Sequence, residues 1–111
     1  GTNNSAILDG VVGGGSHNIA SGAAAVVTGG TLNRATADRA TVSGGSANAA
    51  TGGNSTIGGG SSNEATGSTS VVSGGAFNSA SGDFATVSGG NGNTALGLES
   101  VVSGGRGGIH S

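Results

Sequence analysis

The chain contains no cysteine, proline, lysine, methionine, tryptophan or tyrosine. The missing cysteine excludes a disulfide framework and thiolate metal sites, and it suits an exported chain that avoids misbridging. The missing proline leaves a hydrogen-bonded ladder free to run without interruption. Without lysine, the stretch Gly13-Gly14-Gly15-Ser16 cannot be a Walker phosphate loop. Three arginines against five acids leave a net charge of −2 and no basic stripe to hold a nucleic acid. No apolar run reaches the roughly 20 residues that span a bilayer, and no signal-peptide pattern is present.

What the chain has in excess is glycine, 27 of 111 residues, together with Ser, Thr and Asn. Such a composition usually marks disorder. Here the bias is periodic, and the small net charge means that self-repulsion does not account for the poor hydrophobicity. Val or Ile recurs every fifteen residues, at Val12, Val27, Val42, Ile57, Val72, Val87 and Val102. A small residue and Gly-Gly follow, as in Val87-Ser88-Gly89-Gly90. Asparagine recurs at Asn18, Asn33, Asn48, Asn63, Asn78 and Asn93, and alanine at Ala20, Ala35, Ala50, Ala65, Ala80 and Ala95. A fixed period of this kind is one supersecondary unit stacked on copies of itself. Residues 1–111 then form one domain, with regular repeats over about 3–105 and an array end, or the start of another element, over 106–111.

With the valine as position one of the repeat, Ala40-Thr41-Val42-Ser43-Gly44 alternates as a short strand does. Asn78-Ser79-Ala80-Ser81-Gly82 reads as a second, weaker strand, and the glycines between the strands turn the chain. The expected fold is all-β: a parallel β-roll, or solenoid, of fifteen-residue coils with two strands and two turns each. Coils stacked about 4.8 Å apart would give a rod on the order of 30 Å long. Helices are excluded by the cost of so many glycines. The coil core is assigned to Val27, Val42, Ile57, Val72, Val87 and Val102. The asparagines are expected to stack as an amide ladder within a turn, each side chain bonding the next.

The ends and one coil fit less well. Asn3 takes the asparagine position, but Ser5 and Ile7 replace alanine and glycine. After Gly105 the pattern decays, with Gly108 and His110 where Asn and Ala are due. Ala37 replaces a corner glycine beside Asp38 and Arg39.

Charge is segregated. Asp9, Arg34, Asp38, Arg39, Glu64, Asp83, Glu99 and Arg106 all avoid the valine strand. The outward positions of that strand hold Val26, Thr41, Thr56, Val71, Thr86 and Val101 on one side of the valine. On the other side they hold Thr28, Ser43, Gly58, Ser73, Ser88 and Ser103. A flat uncharged face with repeated Val suits a partner. A core of Ala and Val is also thin, so additional burial is expected from oligomerisation. The two phenylalanines, Phe77 and Phe84, lie in turns of one coil and are candidate ligand contacts.

No catalytic set emerges, and the chain is read as a non-enzyme without cofactor or metal. His17 and His110 are far apart in the stack. Asp83 and Glu99 fall in neighbouring positions one coil apart, as exposed acids need no catalytic reason to do. None of the serines has a visible base. A calcium-binding nonapeptide roll would need an aspartate in every repeat, and a hexapeptide β-helix would show period six.

The string Asn-x-Ala-x-Gly-x-x-[Ala/Ser]-x-Val-x-Gly occurs from Asn18 to Gly29 and from Asn78 to Gly89, and nearly as well from Asn48 to Gly59 and Asn63 to Gly74. It resembles the head repeat of trimeric autotransporter adhesins of the Yersinia adhesin type, over roughly residues 3–105. The chain departs from the commoner pattern by an extra residue at the Gly-Gly corner and by Val where Ala is frequent. The resemblance implies a left-handed parallel β-roll, a homotrimer about one axis, and exposure on the outer membrane of a Gram-negative bacterium. It implies attachment to a host extracellular-matrix protein or cell-surface receptor. Members of that family reach the membrane through a coiled-coil stalk and a C-terminal barrel, neither of which lies in these residues, and no ligand-contact residue carries over. In such a trimer, Val26, Thr41, Thr56, Val71, Thr86 and Val101 would form the interface. Two alternatives remain: an ice-binding solenoid using Thr41, Thr56 and Thr86, and a passive spacer in a surface fibre.

Overall fold

A computed structural model describes residues 1–111. The chain is all-β, with fifteen two-residue strands from β1 (Ser5–Ala6) and β2 (Val11–Val12) to β15 (Ile109–His110), and no helix. Odd-numbered strands form one parallel sheet of eight, and even-numbered strands form a second of seven. The pairing of β3 (Ile19–Ala20) with β5 (Arg34–Ala35) and of β4 (Val26–Val27) with β6 (Thr41–Val42) joins residues fifteen apart. The result is a parallel β-solenoid of about seven turns, 36 × 21 × 12 Å in extent.

Each strand is two residues long because the corners begin on either side of it. In the regular coils the first residue points outward and the second is buried. Val27, Val42, Ile57, Val72 and Val87 are fully buried opposite the file Ala20, Ala35, Ala50, Ala65, Ala80 and Ala95. The narrow 12 Å dimension is little more than the ~10 Å between packed sheets, so the interior admits only small side chains.

The asparagines stack as one buried file, and their bonds run to backbone rather than to the next carboxamide. In Asn63, Oδ1 accepts the backbone N–H of Asn78 at 2.9 Å. Its Nδ2 donates to the carbonyl of Gly59 in its own corner at 3.0 Å and to that of Gly75 in the next coil at 2.9 Å. The same three bonds recur at Asn18, Asn33, Asn48, Asn78 and Asn93. They satisfy backbone groups that burial would otherwise leave unpaired.

Positive φ does not fall where the glycines alone would put it. The second glycine of each pair, as at Gly75 (φ 84), is left-handed, and a Cβ there would collide with the Gly90 carbonyl oxygen and sit 2.6 Å from Asn78 Nδ2. The first glycine, such as Gly74, has open space around its missing Cβ. Two further left-handed positions per coil are mostly not glycine. Position six holds His17, Leu32, Ala47, Ser62 and Phe77, and position thirteen holds Ala24, Arg39, Asn54, Thr69, Phe84 and Glu99. The corner glycine of position eleven, as at Gly67, is required for a different reason: a Cβ would strike the carbonyl of Gly82. At the exception, Ala37, the N–H makes no bond to the Ala50 carbonyl, whereas Gly52 and Gly67 donate to Ala65 and Ala80 at 3.1 and 3.2 Å.

Three further details sharpen the sequence reading. The first coil is one residue short: Ser5 pairs with Ile19, so Asn4, not Asn3, joins the ladder by accepting the Asn18 N–H. Its second corner is compressed, with both Leu8 and Asp9 left-handed. Residues after Gly105 continue the stack, because Ile109–His110 pairs with Thr94–Ala95 and Gly108 N–H donates to Asn93 Oδ1. A third ladder of single-residue bridges also runs along the Gly-Gly corner through Ser16, Thr31, Ser46, Ser61, Ala76 and Asn91.

Two predictions follow from the corner geometry. Gly75→Ala should lower stability by about 2 kcal/mol or more, while Gly74→Ala should cost under about 1 kcal/mol, both read by thermal unfolding followed by circular dichroism. Asn63→Ala should cost about 3 kcal/mol in the same assay, because it strands backbone groups of two coils. Asn63→Asp should be no milder, because a carboxylate has no hydrogen to give the two carbonyls.

Candidate interaction surfaces

The two sheets present different outward faces. The odd sheet exposes Ile19, Arg34, Ala49, Glu64, Ser79 and Thr94, a mixed row with charges of both signs. The even sheet exposes Val11, Val26, Thr41, Thr56, Val71, Thr86 and Val101 with no charge. Beside that row lie Thr28, Ser43, Gly58, Ser73, Ser88 and Ser103, all exposed. Val26, Thr41, Thr56, Val71 and Thr86 are half-buried by their neighbours along the ladder, and Val101 is exposed. The inward valines Val27, Val42, Val72, Val87 and Val102, with Ile57, are buried within the coil. Parallel pairing in constant register makes the even face a straight file, with Thr41 beside Thr56 and Val71 beside Thr86.

Phe77 and Phe84 are both exposed at left-handed corner tips, φ 57 and 59. They lie on different corners of one coil, with the strand Ser79–Ala80 between them. The chain therefore does not gather them into one site. Corner tips project their side chains away from the stack, which is why any residue type fits there spatially and why conformational strain is the only cost.

The polar groups at the corners are engaged locally. Asp83 Oδ1 accepts the Ser68 N–H at 3.0 Å, and Asp38 Oδ1 accepts that of Ala23 at 3.3 Å. Arg39 Nε donates to Asn54 Oδ1 at 2.8 Å. The Glu99 N–H donates to the Asp83 carbonyl at 2.9 Å, which stacks those two acidic residues in adjacent coils. His17 is hydrogen-bonded to Ser16 Oγ and to Asn3, while His110 lies in the last strand. The surface has no pocket, and no three acidic or imidazole groups converge. The arrangement presents two flat faces and two files of projecting tips.

Sequence reasoning singled out the phenylalanines and the uncharged strand but passed over Leu96 and Leu98, both exposed at the second corner. The available signal was a comparison of the same corner position from coil to coil. No protein-family model and no curated protein sequence matches this chain.

The tips give a further prediction. Thr69 is β-branched and left-handed at φ 56. Thr69→Gly should raise stability by about 1 kcal/mol in urea unfolding, by relief of that strain.

Proposed function

We propose that this chain is the head of a trimeric surface adhesin, a non-enzymatic binding module that attaches a Gram-negative cell to a host matrix protein or receptor. The observation that carries this reading is the contrast between the two sheets. One face bears Arg34 and Glu64, while the other is uncharged along all seven of its strands. A continuous uncharged face containing Val26, Val71 and Val101 is an unusual surface to leave in water. Packing it about a three-fold axis supplies the burial that a core of Ala and Val lacks. The resemblance of the Asn-x-Ala-x-Gly repeat to trimeric adhesin heads supports the same assembly, with the left-handed coil of that family.

In this reading Val26, Thr41, Thr56, Val71, Thr86 and Val101 meet across the three-fold axis, and the corner tips face outward to the host. Light scattering after gel filtration should give three times the chain mass. Val71→Asp should shift the species toward monomer, because a carboxylate would be buried without a partner, whereas Arg34→Ala should leave it unchanged. A stable monomer for the unmodified chain would sink the proposal. Binding of the trimer to immobilised collagen, fibronectin or laminin separates an adhesin from a passive spacer. The adjacent Thr41 and Thr56 on a straight ladder favour one other reading, an ice-binding solenoid, whose mark would be thermal hysteresis from a monomer.

A further inference from the structure

The second corner carries exposed Ile7 and Leu8 in the shortened first coil, and from the second coil on it changes character along the rod. Its outward positions ten, twelve and thirteen hold only small, polar or charged residues from Ser21 to Thr69, the last such set being Thr66, Ser68 and Thr69. In the next two coils they hold Phe84, Leu96 and Leu98, with Asp83 and Glu99 beside them. Phe84, Leu96 and Leu98 are 56%, 51% and 70% exposed.

The fold does not call for these side chains. The corner bond from position fourteen to position eleven is 3.1 Å at Ser55–Gly52 and 3.2 Å at Ser70–Gly67, in coils without large apolar tips. It is 3.1 Å at both Ala85–Gly82 and Ser100–Gly97. In an earlier coil all three positions are exposed, at Thr66, Ser68 and Thr69, although position ten is half-buried at Ser21, Thr36 and Ser81. Phe84 shares its left-handed backbone, φ 59, with Ala24, Arg39, Asn54, Thr69 and Glu99 at the same position, so the conformation does not select an aromatic there. Exposed apolar surface that the fold neither buries nor needs marks a contact with something else.

The neighbours of the patch indicate what that is. The Glu99 N–H to Asp83 carbonyl bond sets Leu98–Glu99 directly over Asp83–Phe84, so two carboxylates flank the apolar groups. Asp83 spends one oxygen on the Ser68 N–H, and the Glu99 carboxylate bonds nothing in the chain. Neither coil has an arginine at this corner; Arg106 belongs to the bridge ladder of the other. We infer that Phe84, Leu96 and Leu98 form a docking patch for a protein segment that brings apolar side chains next to lysine or arginine. Charge complementarity selects that partner, and the same carboxylates would repel an anionic lipid surface. The inference rests on the binding-module part of the proposed function but not on three-chain assembly, so a monomer can satisfy it and a matrix-binding trimer can fail it.

The test uses isotope-labelled full chain and three soluble Gly/Ser-flanked peptides, with centres Leu-Lys-Phe-Lys-Leu, Leu-Glu-Phe-Glu-Leu and Ser-Lys-Ser-Lys-Ser. The first should shift the amide resonances of Asp83, Phe84 and Leu96 to Glu99 at up to about 1 mM peptide, and the other two should bind about tenfold or more weakly. Phe84→Ser and Leu98→Ser should abolish the shifts. Glu99→Gln, a change of charge alone at an exposed tip, should weaken binding several-fold. No shift at the second corner, equal binding of the glutamate peptide, indifference to Leu98→Ser, or capture by phosphatidylserine vesicles would each overturn the inference.

Discussion

The buried asparagine carboxamide is the joint between one coil and the next. Its oxygen takes the N–H of the next asparagine, and its two hydrogens reach carbonyls in its own corner and in the following coil. Only a short carboxamide offers both a donor pair and an acceptor within that space; aspartate lacks the donors, and a hydroxyl lacks the reach. The second glycine of the Gly-Gly pair belongs to the same constraint, because the carboxamide and the next coil's carbonyl fill the volume its Cβ would need. Asparagine and glycine therefore recur together for one reason.

With stacking carried by this joint and the backbone ladders, the interior can be modest. Ala and Val fill a coil only 12 Å thick, where larger side chains would force the sheets apart. The same thinness leaves both outer faces unsupported by any further layer, and the two faces solve this differently. Arg34 and Glu64 keep the odd face compatible with water. The even face has no such residue and stays uncharged along its length.

The legible part of the architecture was the part under periodic constraint. Inward Val and Ala alternate with outward residues, and charge is excluded from one strand, so strands, core and uncharged face could be read directly. The left-handed tips could not, because their side chains project into solvent and the backbone strain leaves no mark on residue choice: Phe77, Ala47 and Ser62 occupy one conformation. The bridge ladder was hidden for a related reason, since Ser16, Thr31, Ala76 and Asn91 share no apolar pattern. The shortened first coil was ambiguous because Asn3 and Asn4 are adjacent, and only the pairing of Ser5 with Ile19 selects between them. Of the candidate sites, the uncharged face followed from charge placement. The Phe84, Leu96 and Leu98 corner needed the exposure of each position to be known in coils that lack apolar tips.

A solenoid confines the consequences of such local departures. Each coil touches only its neighbours, so strain at Phe84 or the missing corner bond at Ala37 stays local. Corner tips can then differ from coil to coil while the stack stays regular. Regularity itself poses a problem for the flat face, because a perfectly repeating surface meets a copy of itself equally well after sliding by one coil. The outward file runs Val11, Val26, Thr41, Thr56, Val71, Thr86, Val101. In the proposed assembly a one-coil slip would set Thr hydroxyls against Val methyls at several levels, leaving polar groups unpaired where the aligned register matches like with like. The irregular order that spoils this face as a lattice template is what would hold three chains in step.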